Sequence, residues 1–128
     1  MRIDLLEAFG LDPNVIAILK EKYGAELLPI QERAFKEHQI LNGGNFLLSA
    51  VTSSGKTLVG EILALHYGSK GKRVFYLVPT KALAEEKFEQ FHEDYEKAGI
   101  QTVISTHDRR EYDERIEGRR FHIAIIVY

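Results

Sequence analysis

Apolar positions along the chain recur in two different ways. Val15, Ile16, Ile18 and Leu19 follow a helical spacing between Asp12, a good capping residue, and Gly24, so a helix is expected over Pro13–Tyr23 with Pro13 in its first turn. A second helix is expected over 29–41, stopped by Asn42-Gly43-Gly44. The pattern then changes to short apolar runs. The run 46–50 (FLLSA) has turn residues on both sides and reads as a buried strand. A helix over 55–67 carries Leu58, Val59, Ile62, Leu63 and Leu65 on more than one face, which predicts deep packing. The run 73–78 (RVFYLV) reads as a second strand, broken by Pro79-Thr80. An amphipathic helix over 81–98 follows, with Ala84, Phe88, Phe91 and Tyr95 as its core stripe and Gly99 at its end. Residues 102–105 form a third strand candidate, 107–120 a charged loop with some helix, and 121–128 (FHIAIIVY) a fourth strand. Strands alternating with helices predict an α/β fold, a parallel sheet covered by helices, with two helices ahead of it.

Length and charge narrow the picture. The 128 residues fit one domain, and 45% apolar residues allow a packed core. A net charge of −2 argues against binding nucleic acid by bulk charge, so any such contact must be local. No cysteine is present, which excludes disulfides and thiolate metal sites. The opening stretch is too short and acidic for a signal peptide, and no apolar run reaches the roughly 20 residues of a membrane helix. A soluble, intracellular (cytoplasmic, or nucleoid or nuclear) domain with no membrane partner is expected.

The strongest chemical signal is Ala50-Val51-Thr52-Ser53-Ser54-Gly55-Lys56-Thr57. It fits the phosphate-binding P-loop pattern except for Ala50 at the first glycine position. An apolar run enters it and a helical pattern leaves it. Backbone N–H groups of Thr52, Ser53, Ser54 and Gly55 can then surround phosphate oxygens at a helix N-terminus. Lys56 can reach the β- and γ-phosphates of ATP, and the Thr57 hydroxyl can ligate Mg²⁺. Lys56 and Thr57 are therefore the candidate catalytic residues, with Thr57 as metal contact through the nucleotide.

Three segments together resemble the first RecA-like domain of superfamily-two helicases, most closely the Ski-like branch that includes archaeal DNA-repair helicases. Leu27-Leu28-Pro29-Ile30-Gln31 is similar to the Q motif, whose glutamine reads the adenine edge; an amide offers both a donor and an acceptor for that edge. The P-loop is the second segment, and alanine at its first position is common in the family. Glu61, one turn after Thr57, fits a family habit too, but reads first as a packing or surface acid. The third segment, Val78-Pro79-Thr80-Lys81-Ala82-Leu83-Ala84 followed by Glu86-Lys87, closely resembles motif Ia. In the family, that junction grips the phosphates of a single strand. Pro79, Thr80, Lys81 and Ala82 are thereby implied as nucleic-acid contacts, with a charge, a hydroxyl and a helix start to offer.

The resemblance implies a three-layer P-loop NTPase (RecA-like) sheet with flanking helices, incomplete. Residues 1–44 would carry the Q-motif helices, and 45–128 the P-loop, motif Ia and the following strands. The implied cofactors are ATP and Mg²⁺, and the implied partner is single-stranded or duplex nucleic acid, DNA ahead of RNA. Two weaker matches depart from the family. Ser105-Thr106-His107-Asp108 has His107 where the family often has glycine, and the last strand has His122 and Val127 in place of an aspartate and a threonine. Arg109, Arg110, Arg115, Arg119 and Arg120 interleave with acids and read as a solvated face. The five histidines show no ligand-like spacing. The family's D-E-x-H element and second RecA-like domain have no counterpart here, so the chain is expected to be an excerpt of a longer motor that cannot hydrolyse ATP by itself. The alternative is a naturally short, non-catalytic nucleotide-binding, nucleic-acid-binding or interaction module.

Overall fold

The computed structural model describes residues 1–51 and 55–128. The chain divides into two units, Met1–His66 and Tyr67–Tyr128.

The first unit begins with a 3₁₀ helix over Ile3–Phe9, ended by Gly10 at φ +96°. Helix α1 spans Pro13–Tyr23. Asp12 caps it, accepting from the Asn14 N–H at 2.7 Å, and Val15, Ile16, Ile18 and Leu19 form its buried face. These are the bounds and the face that cap, proline and spacing predicted. The expected helix over 29–41 is instead three pieces. Helix α2 covers Pro29–Glu32, a π turn covers Arg33–Glu37, and a 3₁₀ turn covers Ile40–Asn42 after Gln39 at φ +49°. The packing explains the break. In an unbroken α-helix Phe35 and Ile40 would point about 140° apart, at 100° per residue. The wider turn and the left-handed Gln39 let both sit inside, at 0% and 5% exposure. Helix α3 spans Lys56–Ser69 and buries Leu58, Val59, Ile62 and Leu65, as its multi-faced pattern required.

The strand expected over 46–50 does not form. Residues 43–51 carry no regular structure, and Phe46, Leu47, Leu48 and Val51 are exposed, Leu47 by 96%. A strand exists only when a neighbour takes its N–H and C=O groups, and no described residue pairs with this run.

The second unit is the α/β part. Strands β1 (Val74–Val78), β2 (Thr102–Ser105) and β3 (Ile123–Val127) form a parallel sheet in the order β1-β3-β2. Val74 and Thr102 both align with Ile123. Helix α4 (Lys81–Tyr95) carries the chain from β1 past the central position to β2. It buries Ala84, Phe88, Phe91 and Tyr95, with the Phe91 ring edge-on to Tyr76 at 5.7 Å. A 3₁₀ turn over Glu96–Ala98 and Gly99 at φ +83° finish it. The charged stretch holds one short helix, α5 (Asp113–Glu117), before β3 returns between its neighbours. Ile123, Ala124 and Ile125 of β3 are fully buried, as suits a central parallel strand. Of four expected strands, three form among the described residues. No helix among those residues is long and apolar enough to cross a membrane.

Candidate functional site

The nucleotide-site candidates gather in the first unit, at the start of α3. Gly55 precedes the helix at φ +91°, a conformation that favours glycine. A Cβ there would lie 2.6 Å from Gln31 Nε2 and 2.7 Å from Leu28 Cδ1. The close approach has a bond in it: Gln31 Nε2 donates to the Gly55 carbonyl at 3.0 Å, across 24 positions of sequence. The other end of the same amide, Oε1, accepts from the Leu28 N–H at 2.8 Å, half of a capping box at the start of α2. Gln31 is thus 3% exposed and fixed at both ends. An amide has two N–H donors and two lone pairs, so one of each remains to meet an adenine edge.

Lys56 opens α3 and is half-buried; its Nζ donates to the Ala50 carbonyl at 2.7 Å. That contact ties the two ends of the phosphate-loop sequence and uses one of the three ammonium protons. Thr57 lies exposed on the first turn of α3. The helix N-terminus adds partial positive charge. Thr52, Ser53 and Ser54, the other three loop candidates, lie outside the described residues. A cavity of about 460 Å³ adjoins Lys56, walled by Ile30, Ala34, Phe46, Leu48, Val59 and Leu63 among others. Its mostly apolar walls suit a polyphosphate poorly.

Glu61 resolves toward packing. It is 1% exposed on α3, with Tyr23 Oη donating to Oε2 at 2.9 Å and Lys22 Nζ 3.5 Å from Oε1. Burial, then the neighbouring Glu61 carboxylate, pushes the Tyr23 phenol above its ordinary value of 10.0. The α1–α3 tie was not foreseen. Its signal was an acid set among Leu58, Ile62 and Leu65 on an otherwise apolar helix, which requires a donor nearby.

The strand-contact candidates lie in the second unit, where β1 ends and α4 begins. Pro79, Thr80, Lys81 and Ala82 are all exposed. Thr80 is the N-cap, its Oγ1 accepting from the Leu83 N–H at 3.2 Å. Lys81 Nζ meets Asp108 Oδ2 at 2.6 Å. Sequence reasoning placed Asp108 in a weak motif and did not foresee the pairing. The departing His107 is exposed and Thr106 buried, so the turn is held by the threonine. His122 accepts at Nδ1 from the Gln101 N–H at 2.8 Å. Two of the clustered arginines are ion-paired: Arg109 with Glu85 and Glu111, and Arg110 with Asp113. Among the described residues no cluster of His, Asp or Glu could hold a metal ion by itself.

A sequence-family model described as DEAD/DEAH box helicase matches residues 28–128. The ATP-dependent DNA helicase Hel308 of Methanocaldococcus jannaschii is 37% identical over 118 residues, covering 88% of this chain and 10% of that protein. The same-named helicase of Pyrococcus horikoshii is 39% identical over 120 residues, covering 93% of this chain and 16% of that one. The DExH-box ATP-dependent RNA helicase DExH15, chloroplastic, of Arabidopsis thaliana is 37% identical over 91 residues, with 71% of this chain and 8% of that protein covered. The chain therefore spans 8% to 16% of the length of these three relatives.

Proposed function

Because the chain belongs to the DEAD/DEAH box helicase family, we propose that it supplies the ATP-binding part of an ATP-dependent helicase acting on DNA. The small parallel sheet with its helices is that of an incomplete RecA-like domain. One observation carries the nucleotide reading. The Gln31 amide bonds the Gly55 carbonyl at 3.0 Å, which joins the adenine-reading candidate to the phosphate loop in one place. Gln31 selects adenine, and Thr52, Ser53, Ser54, Gly55, Lys56 and Thr57 hold the phosphates, Thr57 also meeting the Mg²⁺ they carry. Pro79, Thr80, Lys81 and Ala82 hold one strand by its phosphates. DNA is preferred to RNA because Hel308 relatives named as DNA helicases match over more of the chain than the RNA helicase does.

Hydrolysis needs an acid that holds the metal, a group that positions water and an arginine that meets the transferred phosphate. These residues contain no D-E-x-H element, so the stretch binds ATP without turning it over by itself.

Competition against a fluorescent adenine nucleotide tests the reading. ATP is expected to displace it at lower concentration than GTP, and Gln31→Ala to abolish the preference, about tenfold or more for a two-point base contact. Equal displacement by both nucleotides, or a preference that survives Gln31→Ala in a folded variant, would remove the adenine role.

A further inference from the structure

Lys81 has a partner that strand binding does not explain. Its ammonium donates to Asp108 Oδ2 at 2.6 Å, from a residue 27 positions further along, in the turn after β2. That turn is braced. The buried Thr106 hydroxyl oxygen accepts from the Asp108 N–H at 3.2 Å and from the Arg109 N–H at 3.0 Å. The Arg109 guanidinium donates to Glu85 of α4 at 2.7 Å and to Glu111 at 2.5 Å. It also lies 5.3 Å from the centre of the Phe88 ring, on the same helix. The Asp108 carboxylate is thus carried to the first residue of α4, where a helix start and a lysine offer a place for an anion. The Lys81 hydrogen bond and charge hold the Asp108 carboxyl below its ordinary 3.8, so it is ionised at neutral pH.

We propose that Asp108 is a built-in competitor for the phosphate of a bound single strand, occupying the Lys81 ammonium until a phosphate displaces it. The proposal rests on Lys81 being a strand contact. An incoming phosphate then exchanges one charged partner for another and releases no counterion from a free lysine. Binding is weaker and less salt-sensitive than the exposed motif alone would give. Both side chains are more than half exposed, at 55% and 62%, so the carboxylate tempers affinity and does not block it.

The test is fluorescence anisotropy of a labelled single-stranded oligodeoxynucleotide over a range of salt concentrations. It compares the 128-residue chain with Asp108→Asn, Lys81→Ala and the double variant, each checked for an unchanged circular dichroism spectrum. Asp108→Asn is expected to bind about two- to fivefold tighter, the range open to an exposed charge pair. Its log–log salt slope should steepen by about 0.7, one freed lysine on a single strand. Lys81→Ala weakens binding, and adding Asp108→Asn to it changes nothing further. Unchanged or weaker binding by Asp108→Asn, with Lys81→Ala still weakened, overturns the competitor and leaves the strand contact standing. An equal gain in the Lys81→Ala background reduces Asp108 to general repulsion and also overturns it. If Lys81→Ala binds like the parent, or no form binds the strand, the strand-contact reading falls and takes the competitor with it.

Discussion

Gly55→Ala probes the join between Gln31 and the phosphate loop. Two effects add. At φ +91° an L side chain is strained, by about 1–3 kcal/mol for a residue outside the ordinary regions. The new Cβ would also stand 2.6 Å from Gln31 Nε2. The amide is the end of a side chain and can swing away, so the steric clash relaxes. Swinging breaks two part-buried bonds, to the Gly55 carbonyl and from the Leu28 N–H, at about 0.5–1.5 kcal/mol each. Gly24 supplies the control: it has the same φ of +91°, and a Cβ there meets nothing within 4 Å. Gly24→Ala should therefore carry the backbone strain alone. Urea unfolding followed by circular dichroism is expected to place Gly55→Ala about 1–3 kcal/mol below Gly24→Ala. In a Gln31→Ala background that difference should shrink, because the amide is already gone. Equal shifts for the two glycine variants would refute the claim that Gln31 is locked against the loop.

Two further outcomes follow from the same contacts. Tyr23→Phe removes a hydrogen bond to the buried Glu61 carboxyl and should destabilise the chain by about 1 kcal/mol near neutral pH. The sign in alkali is fixed by the raised phenol: its contribution is whole below pH 10.0 and is lost as pH rises through the higher folded value. The parent should thus lose stability above pH 10.0 more steeply than Tyr23→Phe, and parallel pH–stability curves would contradict the Tyr23–Glu61 tie. Strand β1 pairs only with β3 among the described residues, and its Phe75 and Leu77 are each 57% exposed. An apolar free edge invites pairing with another chain, so sedimentation velocity should show self-association that Leu77→Lys reduces; a parent that stays monomeric at high concentration would count against it.

Elements fixed by neighbours in sequence were the legible ones. Asp12, Pro13, an apolar stripe and Gly24 lie within one segment, and α1 came out with its expected bounds. The central β3 was equally readable from FHIAIIVY, a continuous apolar run. The run 46–50 looked alike and formed no strand, because strand pairing is decided by a partner elsewhere in the chain. Likewise 29–41 kept its helical character but broke where Phe35 and Ile40 both had to face inward. At the candidate site, the helix start at Lys56 and Thr57 was legible from a local motif. Gln31 needed the family resemblance to single it out, since nothing between positions 31 and 55 announces a contact. The Lys81–Asp108 pair was not legible at all, because the sheet order sets that meeting. The alternating charges read as a solvated face, and the partners that Arg109 and Arg110 find in Glu85, Glu111 and Asp113 were not foreseen.

Titration of a fluorescent ATP analogue in the presence of Mg²⁺, on the parent chain and on Lys56→Ala, tests the nucleotide site most directly. Among the described residues Lys56 is half-buried and donates to the Ala50 carbonyl, so its removal should leave the fold in place. The parent should bind saturably and Lys56→Ala should lose binding altogether. Equal affinity of the two proteins would contradict a phosphate site at the start of α3.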